Sequence, residues 1–225
     1  IMFFPGGQMT EIKILKNVLD KNQDRARKNR DMLLDQKIRM INLISSPGAG
    51  KTSILEKAIP LLQSHYSIAV IEGDAYTSRD AERLQKFNIP VIQINTEGSC
   101  HLDSNSIFHA FKELDFTKLD LIIVENVGNL ICPVAFDLGE EMRIAVLSTT
   151  EGEDKPAKYP MLFREASTVL LNKIDLLPYL EFDKNSFLRD IFNINPELTI
   201  FETSATQNSG ISEFVKWLIN SFDAE

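Results

Sequence analysis

Histidine, cysteine and tryptophan are all scarce: three, two and one among 225 residues. Two cysteines, Cys100 and Cys132, build no disulfide framework, and in a reducing compartment they read as free thiols or metal ligands. No apolar run approaches the ~20 residues that span a bilayer. The opening Ile1-Met2-Phe3-Phe4 stops at Pro5-Gly6-Gly7, short of the apolar stretch of about 7–15 residues in a signal peptide. It reads as an upstream extension, with Met9 an alternative start, and a cytoplasmic location is expected. An excess of basic charge is missing too: 24 Lys and Arg face 32 Asp and Glu, for a formal charge of −8. That argues against nucleic acid as a partner, because phosphate contacts need clustered Lys and Arg. A membrane is not expected either. No repeat, low-complexity tract or linker interrupts the chain.

What is present is the composition of a folded domain, 44% hydrophobic and 25% charged. Residues 10–35 read as a helix with an apolar stripe at Ile12, Leu15, Val18 and Leu19, and a solvated stretch over residues 21–30. Beyond it, short apolar runs alternate with helical ones. Strands are expected near residues 38–44, 68–71, 91–94, 119–124, 144–147, 168–171 and 199–201. Helices are expected near 53–63, 79–87, 104–113, 183–192 and 211–222. This alternation predicts an α/β fold, a three-layer P-loop NTPase domain with a mostly parallel sheet covered on both faces. The division is an extension and helix over residues 1–36, then one domain over 37–225.

The first strand runs into Ser45-Ser46-Pro47-Gly48-Ala49-Gly50-Lys51-Thr52, followed by a helix. Glycines let the backbone curl so that N–H groups point inward, and the helix N-terminus adds its positive dipole end. Gly48, Ala49, Gly50, Lys51, Thr52 and Ser53 are therefore the expected phosphate cradle. Lys51 would reach the β- and γ-phosphates and the Thr52 hydroxyl would ligate Mg²⁺. The usual leading glycine is replaced by Ser45.

Asn172-Lys173-Ile174-Asp175 follows the strand ending at Leu171, at the sheet edge where α/β proteins bind ligands. Guanine presents N1–H and an exocyclic amine side by side, and the Asp175 carboxylate accepts from both. Adenine has no donor at N1 and would leave a desolvated carboxylate unpaired, a penalty that can discriminate by roughly 10⁴-fold. Asn172 is expected on another edge of the base, the Lys173 stem across its face, and the Ser204-Ala205 backbone at the guanine oxygen. GTP and GDP are thus the expected ligands. Acids at strand ends supply the metal side: Glu125 in Glu125-Asn126-Val127-Gly128, with Gly128 at the γ-phosphate, and Asp74 in Glu72-Gly73-Asp74.

Cys100-His101 lies after one strand and Cys132 after another. Two thiols and an imidazole suit Ni²⁺ or Zn²⁺, although lone cysteines also serve as small buried hydrophobes. Several longer runs bear on the choice. Gly73-Asp74 with Thr77-Ser78-Arg79-Asp80, Gln93-Ile94-Asn95-Thr96 with Cys100-His101-Leu102, Glu125 through Cys132-Pro133, and Thr150-Glu151-Gly152-Glu153-Asp154-Lys155-Pro156 resemble the hydrogenase-maturation nickel-insertion GTPases, the HypB family. The likeness covers the chain from about Lys37 onward, and the N-terminal helix is similar as well. The resemblance implies GTP-dependent delivery of nickel to the large subunit of [NiFe]-hydrogenase, a homodimer favoured by GTP, and a nickel-donating accessory protein. It also implies that Cys100, His101 and Cys132 are the Ni/Zn ligands and meet their counterparts across the dimer.

An N-terminal cysteine motif and a His-rich storage tract, carried by some members of that family, do not occur in these residues. Lys51 and Mg²⁺ are expected to neutralise charge on the β–γ bridge, while a residue near Asp74 or Glu125 orients the attacking water. Two alternatives stay open: a urease-accessory type of metallochaperone, whose Cys-Pro-His motif is here Cys132-Pro133-Val134, and a nucleotide-gated metal-binding module with negligible turnover.

Overall fold

The computed structural model describes residues 8–74 and 78–224, with side chains from residue 18 onward. The expectations that fall on residues 1–7, on Thr77 and on the side chains of Ile12 and Leu15 lie outside the described residues. The strands are β1 (Arg39–Ser45), β2 (Ile68–Asp74), β3 (Val91–Asn95), β4 (Leu121–Glu125), β5 (Met142–Ser148), β6 (Thr168–Asn172) and β7 (Thr199–Glu202). They form one sheet in the order β3-β2-β4-β1-β5-β6-β7. Every pairing is parallel. Each expected strand is present, and β2 runs three residues further than its apolar pattern suggests, as far as Asp74.

Successive side chains of a strand point to opposite faces, and the core divides accordingly. Ile41, Leu43, Val70 and Ile123 pack under the helices α2 (Lys51–Leu62) and α9 (Ile211–Asp223). Met40, Ile71, Ile122 and Val124 face the other way, against α1 (Gln8–Gln36) and α4 (Ser104–Phe111). Ala145, Leu147, Val169 and Leu171 face α7 (Pro160–Glu165) and α8 (Lys184–Ile194). The helix α3 (Arg79–Gln85) precedes β3. Like α7, two shorter helices, α5 (Cys132–Ala135) and α6 (Lys155–Lys158), lie where the sequence pattern predicts none. Four residues are too few to show a helical period, and a proline opens each of these two as well as α7.

The N-terminal helix is present, but its anchoring differs from expectation. Val18 is exposed, and the buried positions beyond it are Asn22, Ala26, Asn29 and Leu33. The Asn29 amide donates to the carbonyls of Ser104 (2.8 Å) and Leu138 (3.0 Å). Asn22 Nδ2 donates to the Asp137 carbonyl, and its Oδ1 accepts the Ser104 N–H. The stretch read as solvated is thus half buried. Two amides do the work of an apolar stripe.

Since β1 sits between β4 and β5 at the middle of the sheet, the direction in which successive strands are added reverses around it. The loop after β1 therefore faces the crevice at the carboxyl ends of the strands, where open α/β sheets bind ligands.

Candidate nucleotide and metal site

The loop between β1 and α2 is shaped by two glycines with left-handed backbone, Gly48 (φ 75°) and Gly50 (φ 101°). Helix α2 begins at Lys51, so Lys51, Thr52 and Ser53 form its first turn with N–H groups facing the crevice. Lys51 Nζ donates to Ser45 Oγ at 2.8 Å. The residue that replaces the usual glycine thus holds the lysine. Burial lowers the Lys51 pKa, and the nearby Glu125 carboxylate opposes that shift. The Ser53 hydroxyl accepts from Arg83 Nη2 at 3.0 Å, so only the Ser53 backbone faces the cradle.

The acids converge because of strand parity. Glu72 and Asp74 on β2 share a face two residues apart, and Glu72 lies directly across from Glu125 on β4. Thr52 Oγ1 donates to Glu125 Oε1 at 2.7 Å, bringing the first turn of α2 to the same acids. Asp80 enters from α3, and the carboxylate oxygens of Glu72, Asp74 and Asp80 lie within 4.8 Å of one another. Glu72 and Asp80 were not among the expected metal acids. The alternating pattern Glu72-x-Asp74 at a strand end was the signal for Glu72, whereas nothing local marks Asp80. Burial, reinforced by Glu125, pushes the Glu72 carboxyl up to about 8. Burial likewise raises Glu125, with Lys51 opposing. Among the described residues, Glu72 Oε2 and Glu125 Oε2 are buried oxygens that meet no donor. Hard, converging carboxylate oxygens with unused lone pairs fit Mg²⁺.

On the far side of the loop, Lys173 has left-handed backbone (φ 62°), and its Nζ donates to the Gly48 carbonyl at 2.7 Å. Ser204 Oγ donates to Asp175 Oδ1 at 2.5 Å, which orients the carboxylate expected to read guanine. Asn172 makes contacts within the protein that the sequence pattern does not reveal. It is buried, its Nδ2 donates to the Ala49 carbonyl at 2.9 Å, and its Oδ1 accepts from Thr203 Oγ1 and the Ala205 N–H, both at 3.3 Å. Asn172 therefore ties the phosphate loop to the segment holding Ser204-Ala205. Its burial follows from ending an interior strand, β6, behind that loop.

Gly128 lies against the phosphate loop so closely that a Cβ there would sit 2.8 Å from Pro47 Cα. From this contact the chain continues through Asn129, whose side-chain oxygen accepts the N–H groups of Ile131 (2.7 Å) and Cys132 (3.3 Å). There the third cluster forms: the ligand atoms of Cys100, His101 and Cys132 lie within 4.8 Å of one another. Cys100 Sγ is 3.6 Å from His101 Nδ1. The imidazole stacks on Phe136 with ring centres 3.7 Å apart. The neighbouring Cys100 thiol, with burial, raises the Cys132 pKa. Burial lowers that of His101, which favours the neutral imidazole a metal requires.

The comparisons agree with this geometry. The family described as CobW/HypB/UreG, nucleotide-binding domain, matches residues 39–202. Hydrogenase maturation factor HypB of Escherichia coli K12 is 46% identical over 211 residues, spanning 94% of this chain and 72% of that protein. The chain belongs to the HypB family. HypB of Azotobacter vinelandii is 44% identical over 215 residues, covering 95% of this chain and 71% of its own length. Among solved structures, HypB from Helicobacter pylori in complex with nickel superposes with a TM-score of 0.86 at 35% identity, covering 91% of this chain and 96% of that one. HypB from Archaeoglobus fulgidus gives 0.84 at 35% identity, over 90% and 99%. The fold of this HypB-family chain, a parallel sheet between helices with a phosphate loop at its switch point, is thus that of its relatives. The family match also places a nucleotide-binding domain over the crevice described above.

Proposed function

We propose that this chain is a GTP-hydrolysing metallochaperone that delivers nickel during [NiFe]-hydrogenase maturation. The observation that carries the reading is one segment with two ends. Gly128 touches the phosphate loop, and four residues later Cys132 joins Cys100 and His101 in a cluster within 4.8 Å. Nickel-bound HypB from Helicobacter pylori, a relative of high structural similarity, supports nickel as the cargo. Zn²⁺ would also occupy two thiols and an imidazole. Three ligands leave coordination positions open, which suits a metal that must be handed on, with water, a second subunit or a receiving protein filling the remainder.

Guanine selectivity is assigned to Asp175, held by Ser204, with Lys173 beside the base. The amides of residues 48–53 and the Gly128 N–H would hold the phosphates. A bound Mg²⁺ would neutralise phosphate charge from a place among Thr52, Asp74 and Glu125, with Glu72 and Asp80 adjoining. Lys51 would stabilise negative charge on the β–γ bridge, and Glu125 or Asp74 would orient the attacking water by accepting its proton in a hydrogen bond. Unassisted small GTPases turn over at about 10⁻⁴ s⁻¹, so hydrolysis here acts as a timer. A GTP-favoured homodimer, a nickel-donating accessory protein, the hydrogenase large subunit as recipient and a cytoplasmic location complete the proposal.

Calorimetry with GTP, GDP and ATP tests the pocket, and phosphate release under GTP with Mg²⁺ tests the chemistry. Binding of GTP and GDP with roughly 10⁴-fold weaker ATP binding is expected. Lys51→Ala should abolish nucleotide binding or turnover. Indifference to both guanine nucleotides would overturn the pocket, and phosphate release no faster than background would leave a binding module without catalysis.

A further inference from the structure

Glu125 and Asn126 are adjacent in the chain but face opposite sides of the sheet edge. Glu125 shares its face with Glu72 and Thr52. Asn126 is buried on the other face, with Oδ1 accepting two backbone N–H groups: Leu102 at 3.3 Å and Val127 at 2.9 Å. Leu102 follows His101 directly, and Val127 begins the segment that ends at Cys132. One side-chain oxygen therefore holds both arms of the thiol–imidazole cluster. Asn126 Nδ2 is fixed in turn by Asn42 Oδ1 at 3.1 Å, and Asn42 is fixed by Glu140. A second contact joins the same elements. A Cβ on Gly73, the neighbour of Asp74, would lie 2.8–2.9 Å from three carbons of the fully buried Leu102 side chain.

We infer that Asn126 is a positioning residue for the Cys100–His101–Cys132 site, and that Asn126 and the Gly73–Leu102 contact transmit the state of the Asp74–Glu125 acid pocket to it. The physical ground is geometric. A shift of either strand end moves Leu102 or Val127, and Oδ1 links Leu102 to the start of the Cys132 segment, so a displacement of one arm is passed to the other. Packed interiors pass on small displacements because they lack free volume. Spatial continuity becomes coupling only if the metal binds differently in the two nucleotide states. This inference rests on the proposed nickel-carrier reading.

The test is a Ni²⁺ titration followed by thiolate-to-nickel absorption, on the full chain loaded with GDP or with a non-hydrolysable GTP analogue and Mg²⁺. Variants are Asn126→Ala, Gly73→Ala, and Gly73→Ala combined with Leu102→Ala. The unmodified chain is expected to bind nickel with different affinities in the two forms. Asn126→Ala should lower nickel affinity by about 10–100-fold, as loss of groups that orient metal ligands does. It should also alter the absorption bands and bring the two affinities together, with GTP affinity unchanged. Gly73→Ala should likewise erase the difference, and trimming Leu102 in that background should restore it, a rescue that general destabilisation does not produce. If Asn126→Ala fails to fold, the Gly73 pair decides alone. Unaltered bands and an intact difference in Asn126→Ala and Gly73→Ala would overturn the inference while leaving nickel carriage standing. Failure of the unmodified chain to bind nickel would sink both.

Discussion

Glu72 and Glu125 stand side by side on neighbouring strands with one buried, unmet oxygen each. Two like charges at that distance in a dry site are unfavourable, so a proton or a cation must relieve them. The sign of the pH effect follows. The Glu72 carboxyl moves from an ordinary 4.5 to about 8 on folding, mainly through burial. Between those values the folded state binds more protons than the unfolded one, and stability falls as pH rises. The metal- and nucleotide-free protein should therefore melt at lower temperature at about pH 8 than at about pH 6, and Glu72→Gln should flatten that slope. Thermal melts across this range check it; an equal slope in the variant would assign the effect to another group. Glu72 was legible as a polar strand end two residues before Asp74. Asp80 was not, because α3 delivers it from outside the sheet.

At the level of elements, helix α1 is the instructive case. Its composition looks solvated, yet Asn29 is wholly buried and spans two loop carbonyls. Removing the amide leaves both carbonyls without that donor, so Asn29→Ala should cost about 1–3 kcal/mol. A lowered denaturant midpoint at constant slope is the expected measurement, and a midpoint unmoved would mean that α1 is anchored elsewhere. The strands and longer helices were readable because burial imposes a period of two or 3.6 on their apolar residues. Helices α5, α6 and α7 were not, since four to six residues contain too little period to read. The asparagine anchors were invisible for a related reason: an amide signals burial only once its carbonyl partners, about 75 and 109 residues away, are known.

Across the whole molecule, the acid pocket and the thiol cluster are separate sites joined by the segment from Glu125 to Cys132. Cys132→Ser should weaken nickel binding, because a hard hydroxyl replaces a soft thiolate, while leaving GTP affinity little changed. With Cys100 and Cys132 as the proposed ligands, nickel affinity of the unmodified chain should rise with pH, because such thiols must lose protons and Cys132 is held above its usual range by Cys100. Competition titrations at several pH values check both expectations. By itself the sequence determined the alternating α/β order and the glycine loop with Lys51 and Thr52, and it put forward Asp175 as the base-reading carboxylate and, through the family resemblance, Cys100, His101 and Cys132 as soft ligands. Each of these depends on residues close together in the chain, or on a residue type with a single chemistry. Tertiary structure alone decided that Asn172 braces the phosphate loop, that Asp80 joins Glu72 and Asp74, and how closely Cys100 and His101 approach Cys132. Those outcomes depend on strand parity and register between segments far apart in sequence, which only the assembled sheet brings into contact.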